Sequence, residues 1–178
     1  MPELPETETI ARDLDGALRG AVVRSVRVMR ADVLRGLTAR AFTARVKERT
    51  VERVWRRAKS VVIEFTDAHR IVVTPRFTGA LLLEADVSDA YTCVRFGLAD
   101  GRVPTYRDVR RLGTVTLLDA SSCAEWSASL GREPLHRARA QLLQRLEPCI
   151  RRHRLRGEVL CLLQQSARRG MRIAHNDM

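Results

Sequence analysis

Proline at the second position is the first residue of this chain with a chemical consequence. Once Met1 is removed, Pro2 carries a free secondary amine. An α-amino group has a pKa of ~8, so part of it is unprotonated at neutral pH and nucleophilic. Glu3 and Glu6 stand beside it at the head of the first helical segment. A plainer reading of the same residues is structural, since proline starts helices and acids suit the positive end of the helix dipole.

The cations are the second signal. A formal charge of +11 is carried almost wholly by arginine, because Lys47 and Lys59 are the only lysines. Arginine offers a planar fork that pairs with phosphates and with base edges. A balance this basic favours nucleic acid through counterion release, although a GC-rich genome also writes arginine wherever a cation serves. The four cysteines, Cys93, Cys123, Cys149 and Cys161, are scattered and form no C-x-x-C pair, so they read as small buried apolar residues rather than zinc ligands. No apolar run approaches the roughly 18–20 residues that span a bilayer. The start, Met1-Pro2-Glu3-Leu4-Pro5-Glu6, lacks the features of a signal or transit peptide, which makes the cytoplasm the expected location.

The elements that must position these groups follow from periodicity. After Pro5, the apolar residues Ile10, Leu14, Ala17 and Leu18 recur at helical spacing, with Gly20 as a stop. Val22–Val28 reads as a strand and Arg40–Lys47 as a short helix. Strands are then expected over Val51–Trp55, Ser60–Phe65, Ile71–Val73, Ala80–Leu83, Tyr91–Phe96, Arg102–Tyr106 and Thr114–Leu118. Asp100-Gly101 predicts a type I′ hairpin, and Asp67-Ala68-His69 a looser turn. The pattern predicts an α+β domain: an N-terminal helix packed on an antiparallel β-sandwich, followed by a short helical tail. In that tail, after Pro134, Leu142, Leu143, Leu146 and Ile150 mark one arginine-rich helix and Val159, Leu160, Leu162 and Leu163 begin another.

Four motifs, in order, carry a resemblance. Pro2-Glu3-Leu4-Pro5-Glu6-Thr7-Glu8-Thr9 opens the chain, and Arg56-Arg57-Ala58-Lys59 leads into the strand Ser60–Phe65. Tyr106-Arg107-Asp108-Val109-Arg110-Arg111-Leu112-Gly113 and Gly131-Arg132-Glu133-Pro134-Leu135 complete the series. Together they resemble the formamidopyrimidine-DNA glycosylase and endonuclease VIII family over about the first 135 residues. The resemblance implies base-excision repair. A damaged base is flipped out of the duplex, Pro2 attacks the sugar carbon and forms a Schiff base, and elimination then cuts the strand. Glu3 would protonate the sugar ring oxygen, and Glu6 would orient the site from one helical turn away. Lys59 would hold a phosphate or the damaged base's polar edge, with a solvated charge as its other reading. Aligned from Gly79 and Gly113, the residues that would fill the hole left by flipping are Phe77, Arg110 and Leu112. Core packing is the alternative for Phe77 and Leu112, and a solvated surface for Arg110. Arg57 and Arg111 are further DNA-binding candidates.

Several positions depart from the family's pattern. Thr74-Pro75-Arg76-Phe77 replaces the usual His-Leu-Gly-Met, Val109 stands in place of proline, and Cys93 in place of a phosphate-binding histidine. Residues 1–135 are expected to form the catalytic domain, and 136–178 an incomplete helix-two-turn-helix region. Glu158–Gln165 and Gly170–Asp177 loosely match that region, and neither the family's zinc finger nor any other metal or cofactor is expected. The expected partner is damaged double-stranded DNA and the expected state a monomer. Two other readings keep the prolyl amine or the ancestry: a DNA-binding remnant that has lost turnover, and an N-terminal-proline tautomerase, which explains neither the lysine hairpin nor the basic loop.

Overall fold

A computed structural model describes residues 4–83 and 89–131, which fall within one compact unit spanning Met1–Arg132. The helical tail expected after Pro134, together with Cys149 and Cys161, lies outside the described residues. Helix α1 (Leu4–Leu18) buries Thr7, Ala11, Leu14 and Leu18, a stripe at helical spacing. Gly20, at φ 77°, turns the chain after it, and its N–H donates to the Val51 carbonyl at 2.8 Å.

Among the described residues, nine strands form two sheets. The first five are β1 (Val23–Val28), β2 (Leu34–Arg35), β3 (Val51–Arg57), β4 (Ser60–Phe65) and β5 (Arg70–Thr74). The others are β6 (Gly79–Leu82), β7 (Thr92–Leu98), β8 (Thr105–Asp108) and β9 (Thr114–Leu118). The four-stranded sheet runs β1-β7-β8-β6 and the five-stranded sheet β2-β9-β5-β4-β3. Val26, Val94, Phe96 and Tyr106 from one sheet and Val54, Ile63, Phe65 and Val73 from the other share a single apolar cluster, which Leu14 and Leu18 of α1 join. Helix α2 (Ala39–Val46), capped by the Thr38 hydroxyl, adds Phe42, whose ring meets Phe96 edge to face at 6.4 Å.

The expected α+β class and the helix-on-sandwich architecture are present, with three differences. The β2–β9 pair is parallel, so the sandwich is not wholly antiparallel. The Asp100-Gly101 hairpin exists, but its tip is a three-residue loop rather than a type I′ turn. Gly101 alone has positive φ (88°), its N–H bonds Leu98 O, and Leu98 N–H bonds Arg102 O. Ala68, at φ 66°, closes the β4–β5 turn the same way, between Phe65 and His69. A helix absent from the sequence reading, α3 (Ala120–Ser129), starts at Asp119, whose carboxylate accepts the Ser122 N–H at 2.8 Å. Among the described residues no helix is long and apolar enough to cross a membrane.

Candidate active site

Strand register gathers three connections at one end of the five-stranded sheet. Arg57 and Ser60 pair, which leaves Ala58 and Lys59 as the β3–β4 turn, with Ala58 at φ 51°. Val61 pairs Val73, and the Ser60 and Thr74 hydroxyls then meet at 2.8 Å, so the turn bearing Lys59 lies beside the end of β5. From Thr74 the chain crosses to the four-stranded sheet through residues 75–78, and it returns through 109–113. Pairing of Thr74 with Thr114 and of Gly79 with Asp108 holds these two crossings side by side.

The start of α1 reaches the same place. Glu8 accepts a hydrogen bond from Arg56 Nε at 2.7 Å, and Arg56 Nη1 donates to the Ala58 carbonyl at 2.9 Å. The Arg56 side chain is only 4% exposed. One buried guanidinium therefore fastens the second turn of the helix to the turn that carries Lys59. Further along α1, Asp15 accepts the Val54 N–H at 2.6 Å, which sets the helix along β3. Pro2 and Glu3 lie outside the described residues; Glu6 is exposed in the first turn of α1, and Lys59 is half-buried.

The two crossings are organised by a carboxylate that the sequence reading passed over. Asp108 is buried and accepts from the Thr78 hydroxyl at 2.6 Å, the Gly113 N–H at 2.8 Å, the Arg110 N–H at 3.1 Å and the Tyr106 hydroxyl at 3.2 Å. Burial alone would raise its pKa, but these donors outweigh it and hold the carboxyl below its ordinary value. Burial, then the Asp108 charge, pushes the Tyr106 phenol up. An aspartate five residues before a glycine was the available signal, since a hub for two loops needs four acceptor sites and a close approach. Gly113 meets the second need: a Cβ there would lie 1.9 Å from the Tyr106 hydroxyl and 2.9 Å from Thr74 O.

On this frame the candidate void-filling residues stand out to solvent. Phe77 is 53% exposed and Leu112 40%, so core packing explains neither. The Arg110 guanidinium lies 5.3 Å from the centroid of the Phe77 ring, which joins the two crossings through a cation–π contact. Arg111, at φ 52°, turns away from its neighbour and meets Asp32 Oδ2 at 3.1 Å. Arg57 is engaged within the protein: its guanidinium donates to the Ser127 hydroxyl at 2.8 Å, the Ser127 carbonyl at 2.7 Å and the Gly131 carbonyl. Cys93 is buried with its thiol pushed up by burial, consistent with a small packed residue. Cys123 is buried likewise. Among the described residues no three His, Cys, Asp or Glu side chains gather as a metal site requires.

Residues 1–115 match the family model of the formamidopyrimidine-DNA glycosylase N-terminal domain. The chain is 35% identical over 138 residues to formamidopyrimidine-DNA glycosylase of Exiguobacterium sibiricum, covering 75% of this chain and 50% of that protein. To the enzyme of that name from Desulforamulus reducens it is 33% identical over 169 residues, covering 92% of this chain and 60% of the relative. It thus spans about half the length of most of the curated relatives it matches. In fold it resembles the Lactococcus lactis formamidopyrimidine-DNA glycosylase solved non-covalently bound to DNA containing an abasic site. That likeness has a TM-score of 0.66 at 24% identity over 72% of this chain and 49% of that one. The same enzyme solved with DNA containing FAPY-dG gives 0.66 at 22% identity. With the family model spanning most of the described domain and its sheets matching that fold, the chain belongs to the formamidopyrimidine-DNA glycosylase family.

Proposed function

We propose that this chain supplies the catalytic domain of a DNA glycosylase and abasic-site lyase acting on oxidised bases in duplex DNA. The observation that carries the reading is the Glu8–Arg56–Ala58 connection, which ties the helix beginning two residues after Pro2 to the turn bearing Lys59. A nucleophile and a cation for the sugar-phosphate or the damaged base belong within reach of one deoxyribose. The exposed Phe77, Arg110 and Leu112 beside them form a kit for entering a kinked duplex: an apolar wedge and a guanidinium for the unpaired base.

In this mechanism the Pro2 nitrogen bonds to C1′ as the C1′–base bond breaks, and the base leaves with a proton. Glu3 protonates the ring oxygen, and the opened sugar becomes an iminium, which a secondary amine forms without losing a further proton. The iminium acidifies the C2′ proton; its removal expels the 3′ phosphate and cuts the strand. Lys59 holds the adjacent phosphate or the base's polar edge. Removal of Met1 is a requirement, since an acylated Pro2 nitrogen has no lone pair to give.

Borohydride trapping of the full chain on an abasic-site duplex tests this. The expected result is a covalent adduct that peptide mass spectrometry maps to the peptide starting at Pro2. It should be absent from protein that retains Met1. An adduct at Lys59 or Lys47, or none from protein with a free Pro2, would overturn the proposed chemistry; duplex binding without an adduct would favour a non-catalytic DNA-binding role.

A further inference from the structure

The loop that carries Phe77 is fixed by its own backbone. Pro75 is buried, and the Gly79 N–H donates to the Arg76 carbonyl at 2.9 Å, closing a four-residue turn. Phe77 and Thr78 are its two corner residues, and neither has positive φ, as in a type I turn. The turn is tightly seated: a Cβ at position 79 would lie 2.9 Å from Pro75 Cα and Cβ and 2.9 Å from the Tyr106 hydroxyl. Phe77 is thus presented to solvent from a fixed mount rather than from a slack loop.

Thr78 is the point at which this turn meets the other crossing. Its hydroxyl donates to Asp108 Oδ1 at 2.6 Å and accepts the Arg110 N–H at 3.1 Å. The same N–H reaches Asp108 Oδ1, also at 3.1 Å, so it is shared between two acceptors. A hydroxyl donates and accepts at once, where a methyl group does neither. The main chain of Arg110 is therefore pinned to the residue that follows Phe77. The Arg110 guanidinium, 5.3 Å from the Phe77 ring centroid, closes the circuit through the side chains. A backbone bond on one side and a cation–π contact on the other make Phe77 and Arg110 one unit, although they belong to different crossings.

We infer that Thr78 is a positioning residue: its hydroxyl holds the Arg110 backbone against the Phe77 turn, so that ring and guanidinium enter a damaged duplex as a preassembled pair. Two side chains ordered independently would each lose conformational freedom on entry, and fastening them beforehand reduces that cost. The inference rests on the proposed DNA-repair reading and adds to it a residue that none of the sequence motifs contains.

The test compares borohydride-trapping rates of the full chain on an abasic-site duplex and on the same abasic strand without its complement. Only the duplex has a stack to enter and an unpaired base to face, so the duplex-to-single-strand ratio separates the pair's contribution from the covalent chemistry. Unfolded protein loses both substrates alike, which leaves the ratio unaffected. Thr78→Val keeps the shape of the side chain and removes both hydroxyl bonds; the ratio should fall about five- to tenfold, the size of one lost hydrogen bond. Thr78→Ser, which keeps the hydroxyl, should restore it. In a Phe77→Ala background Thr78→Val should lower the ratio little further, because the pair it aligns is gone. An undiminished ratio in Thr78→Val, or an equal fall with and without Phe77, overturns the positioning role and leaves the repair reading intact. Absence of any adduct on either substrate from wild type with a free Pro2 removes the repair reading and this inference with it.

Discussion

Gly113 and Tyr106 show how closely the loop frame is fitted. The carbonyl of Thr74 and the hydroxyl of Tyr106 occupy the space a Cβ at position 113 would need, so Gly113→Ala must push one of them aside. A cost of about 1–3 kcal/mol follows from overpacking a site of this kind, read as a lower urea midpoint. Tyr106→Phe removes the nearer obstacle, and the double variant should recover part of the loss despite the missing Asp108 hydrogen bond. Additive losses would mean that the hydroxyl is not what crowds position 113. At this scale the reach of sequence reasoning was uneven. Phe77, Arg110 and Leu112 were singled out by alignment from two glycines, and the exposure of Phe77 and Leu112 sets aside the core-packing alternative. The part played by Asp108 is not legible in the Tyr106–Gly113 motif, since a buried hub is defined by donors from residues 78, 106, 110 and 113 that only the fold assembles. The internal partners of Arg57 were not legible, because arginine's chemistry is the same whether its acceptor is a phosphate or a peptide carbonyl.

Among elements, the decisive connection is the one between α1 and the β3–β4 hairpin. Arg56 is almost wholly buried and binds both a carboxylate of the helix and a carbonyl of the turn. Arg56→Met keeps much of the side-chain volume while removing both bonds and leaving Glu8 unpaired on that side. A loss of about 1–3 kcal/mol is expected, together with slower borohydride trapping under conditions where circular dichroism shows the variant folded. Trapping at the wild-type rate in folded Arg56→Met would mean that this bond does not set the spacing between the chain's start and Lys59. Short runs rich in β-branched residues, such as Ser60–Phe65 and Thr114–Leu118, were readable to the residue. Helix α3 was not, because Cys123 is its one fully buried apolar residue and serines occupy much of the rest; only the Asp119 cap announced it. Strand β2 has two residues and owes its existence to parallel pairing with β9, a long-range event with no local signature.

For the molecule as a whole, acid sensitivity follows from two buried carboxylates. Burial raises the Glu64 pKa, but hydrogen bonds and charge from Arg53 and Arg70 reverse the effect, so the net shift is downward. Asp108 behaves alike. A carboxyl depressed in the folded state contributes stability above its unfolded pKa, ~4.3 for Glu and ~3.9 for Asp, and that contribution is lost as pH falls through the folded value. Stability should therefore be flat near neutrality and decline below about pH 4.5. Glu64→Gln should cost most at pH 7, and its deficit relative to wild type should shrink in acid, as urea titrations at pH 7 and pH 3.5 would reveal. A deficit that stays constant across that range would show that the carboxylate charge is not what Arg53 and Arg70 stabilise.

The carbonyl of Gly131, where the described chain ends, is held by Arg57, two residues from Lys59. Because the same guanidinium also holds Ser127, Arg57 works as a mooring: it fastens the C-terminal end of α3 to the base of the turn that bears Lys59, so displacing that end would disturb the turn next to the proposed chemistry.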